Sequence, residues 1–252
     1  MKKDNALLFT LNLLVNIHIN IRVSFMIDRM AGKLINRSRI GNASSRVRRG
    51  NVEDQEALRR ATLDAAMRLF QAQGLHGVTM RAVAAEVGVS AMALYRYFPN
   101  KAGLLRGLWE FAITELNGLI NAALANPDLN FRQKLRAAIN VFLAYYEARP
   151  DYYRLIFMTE QAYVESVESR WTEAPIYQEV LMMAQNLSKA VAQEIGGDPA
   201  RARLASDLRY ALSTGYLHAR LINTRYPWQD LTALRIQAVE QIATSVENCL
   251  KC

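Results

Sequence analysis

Apolar residues recur at helical spacing almost without interruption from residue 52 to the end of this 252-residue chain. In the short segment 79–87, for example, four of them fall at positions i, i+3, i+4 and i+7: Met80, Val83, Ala84 and Val87. That spacing places them on one face of a helix. There is no sustained alternation of apolar and polar residues, the pattern of a half-buried strand. The sequence therefore predicts an all-α fold, and the chain is long enough to bury a substantial core.

The positive charge of the chain is confined to its first fifth. Residues 1–51 contain ten Lys and Arg and two Asp, a net charge of +8, which equals the formal charge of the whole chain. The remaining residues therefore carry as many acidic as basic side chains. A composition boundary lies near residue 51, and the net charge by itself does not indicate a nucleic-acid partner.

The basic N-terminal segment has three interpretations. Residues 6–27 are apolar but are interrupted by Asn, His and Arg, and their longest uninterrupted run is too short for a membrane-spanning helix. Residues 29–51 are basic and poorly periodic, which is typical of a flexible tail. One interpretation is a mis-assigned start codon, with the protein beginning near Met26 or Met30. The others are a basic arm that adds phosphate contacts, and a membrane anchor or export signal.

Start and stop signals divide the next part of the chain into four predicted helices, which span 53–73, 79–87, 90–98 and 100–125. Gly74 and Gly88 suit the left-handed conformation that commonly ends a helix. Pro99 ends the third helix, because a residue before proline is disfavoured in the helical region. The expected N-caps are Thr79, Ser90 and Asn100. Two short helices around a glycine turn, with a longer helix in front, form a helix-turn-helix.

The third predicted helix has two different faces. The residues expected to point inward are Val89, Ala93, Leu94 and Phe98. The residues left on the outer face are Ser90, Ala91, Met92, Tyr95 and Arg96. A hydroxyl, small residues, a tyrosine and an arginine suit the major groove of DNA, whereas a purely solvated face would carry Glu and Lys.

Residues 77–105 resemble the DNA-binding domain of the TetR-type (tetracycline-repressor-like) transcription regulators. The resemblance is carried by Thr79-x-Arg81, Ala84-Ala85-x-Val87-Gly88-Val89-Ser90, Leu94-Tyr95-x-Tyr97-Phe98-Pro99-x-Lys101 and Leu104-Leu105. It extends over residues 55–105 when the first helix is included, and it is specific because many residue types recur at fixed spacing. It implies an N-terminal three-helix DNA-binding head with a helix-turn-helix. It also implies a C-terminal helical domain for ligand binding and dimerisation.

The resemblance also implies which residues contact DNA. Phosphate contacts are expected from Thr79, Tyr95, Tyr97 and Lys101. Base contacts are expected from Arg81, Ser90, Ala91, Met92, Ala93 and Arg96. Hydroxyls and an ammonium donate to phosphate oxygens, and arginine pairs with guanine O6 and N7. Since alanine and methionine offer only methyl contacts, specificity is expected to depend on the two arginines, thymine methyls and DNA shape. Packing roles for the two tyrosines and a solvated Arg81 are the alternatives.

The C-terminal part, residues 107–252, is predicted to form five or six helices. One apolar stripe of the last helix contains Leu231, Leu234, Ala238, Ile242, Ser245 and Cys249. The other contains Ile236, Val239, Ala243, Val246 and Leu250. The preceding helix carries a stripe of Leu204, Leu208, Ala211, Gly215, His218 and Ile222. A helix with two apolar faces buries one in its own domain and one against a partner. The resemblance implies a homodimer through these helices, which suits a palindromic operator; closure of the monomer core is the alternative.

Aromatic and methionine residues cluster in the middle of the C-terminal part, and the resemblance implies that some line a pocket for a small-molecule effector. The candidate pocket residues are Tyr146, Arg154, Phe157, Gln185 and His218. Core packing is the alternative for each of them. A bound effector would favour a dimer whose recognition helices no longer match successive major grooves.

No glycine-rich phosphate loop, GxSxG or HExxH motif occurs, so neither an enzyme, a cofactor nor a metal site is predicted. Cys249 and Cys252 lack the two further ligands that zinc needs, and a disulfide across a dimer is the alternative to an incidental pair. The leading hypothesis is a cytoplasmic regulator that binds double-stranded DNA, most often a repressor released by an effector. Its predicted domains are a leader (1–51), a DNA-binding head (52–106) and an effector and dimerisation domain (107–252). The alternative is a membrane-associated or small-molecule-binding helical protein anchored through residues 6–27.

Overall fold

The computed structural model describes residues 52–159 and 174–251, and the regular structure within these ranges is entirely helical. The α-helices are, in chain order, α1 (Val52–Gly77), α2 (Met80–Val87), α3 (Ala91–Tyr95), α4 (Lys101–Leu124), α5 (Phe131–Ala148), α6 (Pro150–Phe157), α7 (Pro175–Ile195), α8 (Ala202–Leu221) and α9 (Leu231–Lys251). A short 3-10 turn, Pro199–Arg201, precedes α8. The predicted all-α fold is confirmed for this part of the chain.

Several helix ends are set by a glycine or by a capping aspartate. Gly74 has φ 66° and interrupts the helical conformation where the predicted helix 53–73 ends, but α1 resumes after it and ends at Gly77. Asp230 caps α9 because its Oδ1 accepts a hydrogen bond from the backbone N–H of Ala233 at 2.8 Å. Asp198 caps the 3-10 turn in the same way, with the N–H of Ala200 at 2.8 Å.

Two compact units make up the described residues. The first contains 52–115 together with 149–159 and 174–178, and so combines α1, α2 and α3 with most of α4 and with α6. Its core is formed by buried residues that include Leu63, Leu94, Leu108 and Leu155. The indole N–H of Trp109 on α4 donates to the backbone oxygen of Leu155 on α6 at 3.3 Å. The predicted functional boundary at residue 106 stays a prediction.

The second compact unit contains residues 116–148 and 179–251. Within it α8 packs against α9, and α5 packs against both. Glu147 on α5 accepts hydrogen bonds from Tyr216 on α8 and Arg235 on α9, both at 2.7 Å. These contacts join the three helices through polar groups as well as through apolar packing.

A second polar network joins α5 to α9 in the same unit. Glu247, which is 5% exposed, accepts hydrogen bonds from Arg132 and Arg136, each at 2.7 Å. Burial by itself raises the pKa of Glu247, but the hydrogen bonds from the two guanidinium groups outweigh it and hold that pKa below its usual range. The carboxylate is therefore ionised in the fold and is neutralised locally.

In the ranges 52–159 and 174–251, no helix is both long and apolar enough to cross a membrane. The interpretations of residues 1–51, including an anchor over residues 6–27, lie outside the described residues. Cys249 on α9 is half-buried with a free thiol, and Cys252 likewise lies outside them.

Candidate nucleic-acid interface

The first half of the helix-turn-helix is fixed by a cap and a glycine. Thr79 is the N-cap of α2, and its Oγ1 accepts a hydrogen bond from the backbone N–H of Ala82 at 3.1 Å. Gly88 ends α2 with φ 78°, a left-handed conformation that side-chain-bearing residues rarely adopt. The N–H of Val89 then returns to the carbonyl of Ala84 at 3.0 Å. Both predicted end signals are confirmed, and together they set the angle at which α3 leaves the turn.

The helix α3 begins where the sequence predicts and ends earlier than predicted. Ser90 caps it, since its Oγ accepts from the N–H of Ala93 at 3.2 Å. The predicted helix through Phe98 is wrong at its C-terminal end, because the α-helix stops at Tyr95. Beyond it, the N–H groups of Tyr97 and Phe98 both donate to the carbonyl of Leu94 at 2.9 Å. This tighter turn precedes Pro99, and the helical conformation is disfavoured for the residue before a proline.

Burial separates the two faces of α3. Leu94 is 0% and Phe98 is 3% exposed, and both belong to the core of their unit. Met92 is 75% and Tyr95 is 47% exposed, which is unusual for large hydrophobic side chains. Arg96 is exposed beside them. The predicted division into an inner and an outer face therefore holds for the large side chains.

The small residues of α3 are less clearly divided. Ala91, expected on the outer face, is half-buried and packs against the core, and Ala93 is also half-buried. Tyr97 is half-buried with its ring against the same core. Direct DNA contacts from these three residues stay predictions.

The base of α3 rests on a close approach to α4. A Cβ placed on Gly107 would lie 2.7 Å from Cε1 of Phe98 and 3.2 Å from Cδ2 of Leu63. Only a residue without a side chain permits this contact between α1, α4 and the residues that follow α3. Phe98 thereby anchors the exposed face of α3 to the rigid helices beneath it.

The charged side chains around the interface differ in whether they have an ion-pair partner. Arg81 and Arg96 are exposed, and neither forms an ion pair among the described residues. The acidic residue on α2, Glu86, accepts a hydrogen bond from Arg68 on α1 at 2.8 Å. Because this carboxylate is already paired, the two arginines on α2 and beyond α3 stay available to an anionic ligand.

The residues expected to contact phosphate differ in their exposure and in their hydrogen bonds. Thr79 is exposed, and because its Oγ1 accepts within the cap, its hydroxyl hydrogen is free to donate outward. Lys101 is half-buried, and its ammonium donates to the backbone oxygen of Leu75 at 2.6 Å. Burial lowers the pKa of Lys101 from its ordinary value. The sequence did not reveal this bond, because its two partners belong to different helices.

The candidate effector residues are divided between the two units. Tyr146 on α5 is buried and Gln185 on α7 is half-buried, whereas His218 on α8 is exposed. In the other unit, Arg154 is exposed and pairs with Asp151 at 3.0 Å, and Phe157 packs against the ring of Tyr153 with centroids 4.6 Å apart. The structure does not bring the five together in one unit, and their role in an effector site stays a prediction.

The apolar stripes expected at a dimer interface differ in burial. In the stripe of α8, Leu204 is 54% exposed, and Ala211 and Gly215 are also exposed. In α9 the buried members of the second stripe are Val239, Ala243, Val246 and Leu250. In the first stripe Ile242 is buried. The other members are half-buried, and they are Leu231, Leu234, Ala238, Ser245 and Cys249. One side of this helix pair thus closes the monomer, and the other is left with apolar groups in solvent.

Comparison with known proteins points to one family. The model of bacterial regulatory proteins of the tetR family matches residues 63–108. The HTH-type transcriptional activator FasR of Mycolicibacterium smegmatis is 30% identical over 182 residues, which cover 71% of this chain and 78% of FasR. The nucleoid occlusion factor SlmA of Photobacterium profundum is 35% identical over 91 residues, or 36% of this chain. That match spans 46% of SlmA, less than half of its length.

Solved structures share the fold. The structure of a TetR variant from Acinetobacter baumannii in complex with minocycline has a TM-score of 0.56 and 19% identity, and covers 76% of this chain and 97% of its own. The fatty acid degradation regulator FadR from Bacillus halodurans has a TM-score of 0.57 and 18% identity, and covers 73% of this chain and 94% of its own. At these identities the likeness is one of fold.

Proposed function

Because this chain belongs to the tetR family of bacterial regulatory proteins, we propose that it is a transcriptional repressor that a small-molecule effector releases from its operator. The observation that carries the proposal is the exposed face of α3. Met92, Tyr95 and Arg96 project from a short helix that is capped at Ser90 and anchored at Phe98. A rigid helix of this kind fits the major groove of double-stranded DNA.

Sequence recognition is proposed to depend on two arginines. Arg81 on α2 and Arg96 after α3 are exposed and lack a carboxylate partner among the described residues. An arginine of this kind pairs with guanine through two hydrogen bonds, and Met92 adds contact with thymine methyls. Thr79, Tyr95, Tyr97 and Lys101 are proposed to hold the phosphates on either side.

The proposed active species is a homodimer on a palindromic operator. The exposed stripe of α8 supports this, since Leu204, Ala211 and Gly215 offer apolar contact and close approach to a second copy. Two-fold symmetry would then place two recognition helices in successive major grooves. The protein is proposed to act in the cytoplasm, where its DNA target lies.

An effector is proposed because a relative of the same fold binds one. The Acinetobacter baumannii TetR variant is in complex with minocycline. In this chain the effector would bind the helical part that follows the DNA-binding head and favour a dimer with mismatched recognition helices.

The test is selection of bound DNA from a random pool with the full chain. A palindromic site should be enriched by the wild type and by Lys189→Ala, which removes an exposed cation on α7. Tyr95→Ala combined with Arg96→Ala should abolish the enrichment. Failure of the wild-type chain to enrich any sequence would overturn the proposal.

Activation is the second candidate, since FasR is named a transcriptional activator. Measuring transcription from a promoter that carries the selected site distinguishes repression from activation. Deletion of the gene raises the transcript if the protein represses, and lowers it if the protein activates.

A further inference from the structure

Arg209 on α8 is a buried cation with no anionic partner among the described residues. It is 9% exposed, and its Nε has no hydrogen-bond partner. Within the described residues no carboxylate forms an ion pair with it. Burial alone lowers the pKa of Arg209 to about 10, with no acidic neighbour to raise it. Even so, the guanidinium keeps its charge at neutral pH, and an uncompensated buried charge is strongly unfavourable.

Other arginines that are less buried than Arg209 do have partners. Arg136 pairs with Glu247 at 2.7 Å and Arg235 pairs with Glu147 at 2.7 Å. In the other compact unit, Arg149 pairs with Glu115 at 3.0 Å. Each of these three guanidinium groups has a carboxylate within 3.0 Å, and Arg209, the most buried of the four, has none among the described residues.

A second polar group without a partner lies one turn further along the same helix. Ser213 is 0% exposed, and its Oγ has no hydrogen-bond partner. Among the described residues, the three other buried serine and threonine hydroxyls, of Thr62, Ser188 and Ser206, each donate to the carbonyl four residues earlier. Ser213 has the carbonyl of Arg209 at the same position in the helix and does not bond to it. Its hydroxyl thus remains available to a group outside the helix.

The pair lies on the side of α8 that faces away from the proposed dimer contact. Arg209 and Ser213 lie on the inner side of α8, together with buried Ala205 and Leu217. The exposed stripe that is proposed to meet a second copy lies on the opposite side of the helix. Because no carboxylate among the described residues pairs with Arg209, a bound small molecule is the source of anion that we consider.

The inner side of α8 also indicates what else that molecule contains. α5 packs against α8, and it contributes buried aromatic side chains at Phe142, Tyr145 and Tyr146. A planar guanidinium matches a carboxylate through two parallel hydrogen bonds, and a serine hydroxyl adds a third donor. Buried aromatic side chains on a helix packed against α8 match a ligand with a hydrocarbon or aryl body.

We propose that Arg209 and Ser213 form the anion-binding end of the effector site, and that the effector is an organic acid with one carboxylate on an apolar body. The inference rests on the proposed ligand-responsive function, and it assigns the chemical class of the ligand. Arg209 holds the carboxylate, and Ser213 donates to one of its oxygens.

The first test needs no knowledge of the ligand. In the full chain, dialysed free of small molecules, Arg209→Met keeps the length of the side chain and removes the unpaired charge. The melting temperature should stay the same or rise, because a buried charge without a partner is relieved. Arg136→Met, the control, should lower it by several degrees, since it leaves Glu247 with one partner fewer. A lower melting temperature for Arg209→Met would show that the guanidinium has a partner in the fold, and would overturn the proposal.

The second test uses octanoate and phenylacetate, each matched with its uncharged amide, and inorganic phosphate as the simple anion. At least one acid should raise the melting temperature of the wild-type chain while its amide does not. Arg209→Met should weaken acid binding by about tenfold or more, the effect of losing a charged hydrogen-bond pair. No shift with either acid overturns the assignment of a carboxylate. An equal rise in melting temperature with inorganic phosphate overturns the assignment of an organic acid as the ligand.

DNA binding of the wild-type chain is measured in parallel, so that the two proposals fail separately. A chain that binds an acid through Arg209 and enriches no DNA overturns the proposed repressor and keeps the acid site. A chain that enriches a palindrome and binds neither acid overturns only the acid site.

Discussion

The ammonium of Lys101 donates a hydrogen bond to the backbone carbonyl oxygen of Leu75, 2.6 Å away. Leu75 follows the left-handed Gly74 near the end of α1, and Lys101 is the first residue of α4. The bond therefore ties the end of the first helix to the start of the fourth. An ammonium has three N–H donors, so the same group can keep this bond and also donate to a DNA phosphate.

Lys101→Ala is expected to affect stability and DNA binding together. Loss of the bond to Leu75 should lower the free energy of unfolding by about 1 kcal/mol. Loss of one phosphate contact should weaken binding to all sequences and flatten the dependence of log K on log salt by about 0.9. Thermal melts and binding titrations over a salt series measure the two effects. Lys189→Ala is the control, and an unchanged salt slope would argue against the phosphate contact.

Arg96→Ala is expected to relax base preference. A guanidinium that pairs with guanine contributes about 1–3 kcal/mol of discrimination, whereas a phosphate contact contributes equally on every sequence. Dissociation constants on the selected operator and on random DNA of equal length measure the difference. Arg96→Lys keeps the charge and should also lose preference for the operator. Equal losses on both DNAs for Arg96→Ala would mean that this residue contacts phosphate only.

Gly107→Ala is expected to destabilise the unit that carries the helix-turn-helix. The new methyl group would lie 2.7 Å from Cε1 of Phe98, so the ring must shift, at a cost of about 1–3 kcal/mol. Gly118→Ala is a matched control on the same helix, where a Cβ meets nothing within 4 Å. Helix propensity alone should make that control more stable, by up to about 1 kcal/mol. Thermal melts that change in the same direction for both variants would contradict the close approach.

Ala211→Glu is expected to dissociate the dimer without unfolding the monomer. Ala211 is exposed on the outer side of α8, where in the proposed dimer the new carboxylate would face the same carboxylate of the second copy. Sedimentation velocity should show a monomer, and affinity for a palindromic operator should fall sharply. Gln193→Glu, an equally exposed change on α7, should stay dimeric. A dimer that persists with Ala211→Glu would place the interface elsewhere.

Local signals could be predicted from the sequence, and distant pairings could not. The caps at Thr79, Ser90 and Asn100 depend on hydrogen bonds within three residues, so residue type is enough to predict them. The early end of α3 at Tyr95 depends on a local tightening before Pro99 that apolar spacing does not reveal.

The burial of polar side chains could not be predicted from the sequence. The sequence stripes of α8 do not include Arg209, because an arginine between apolar residues is ordinarily a solvated side chain. The helix that carries it packs against α9 and also against α5, and α5 lies far earlier in the chain. The pairing of Arg132 and Arg136 with Glu247 is hidden for the same reason.

Glu247→Gln is expected to lower stability at neutral pH, and the loss should disappear in acid. Hydrogen bonds from Arg132 and Arg136 outweigh burial and hold the pKa of Glu247 below its usual range. A carboxyl whose pKa is lower in the folded than in the unfolded chain contributes stability above the unfolded value, and that contribution is lost as the pH falls through the folded pKa. The melting temperatures of wild type and variant should therefore converge below about pH 4, where an unfolded glutamate protonates. Exposed Glu179→Gln is the control, and a gap for Glu247→Gln that stays constant down to about pH 2 would mean that the two arginines do not stabilise its ionised form.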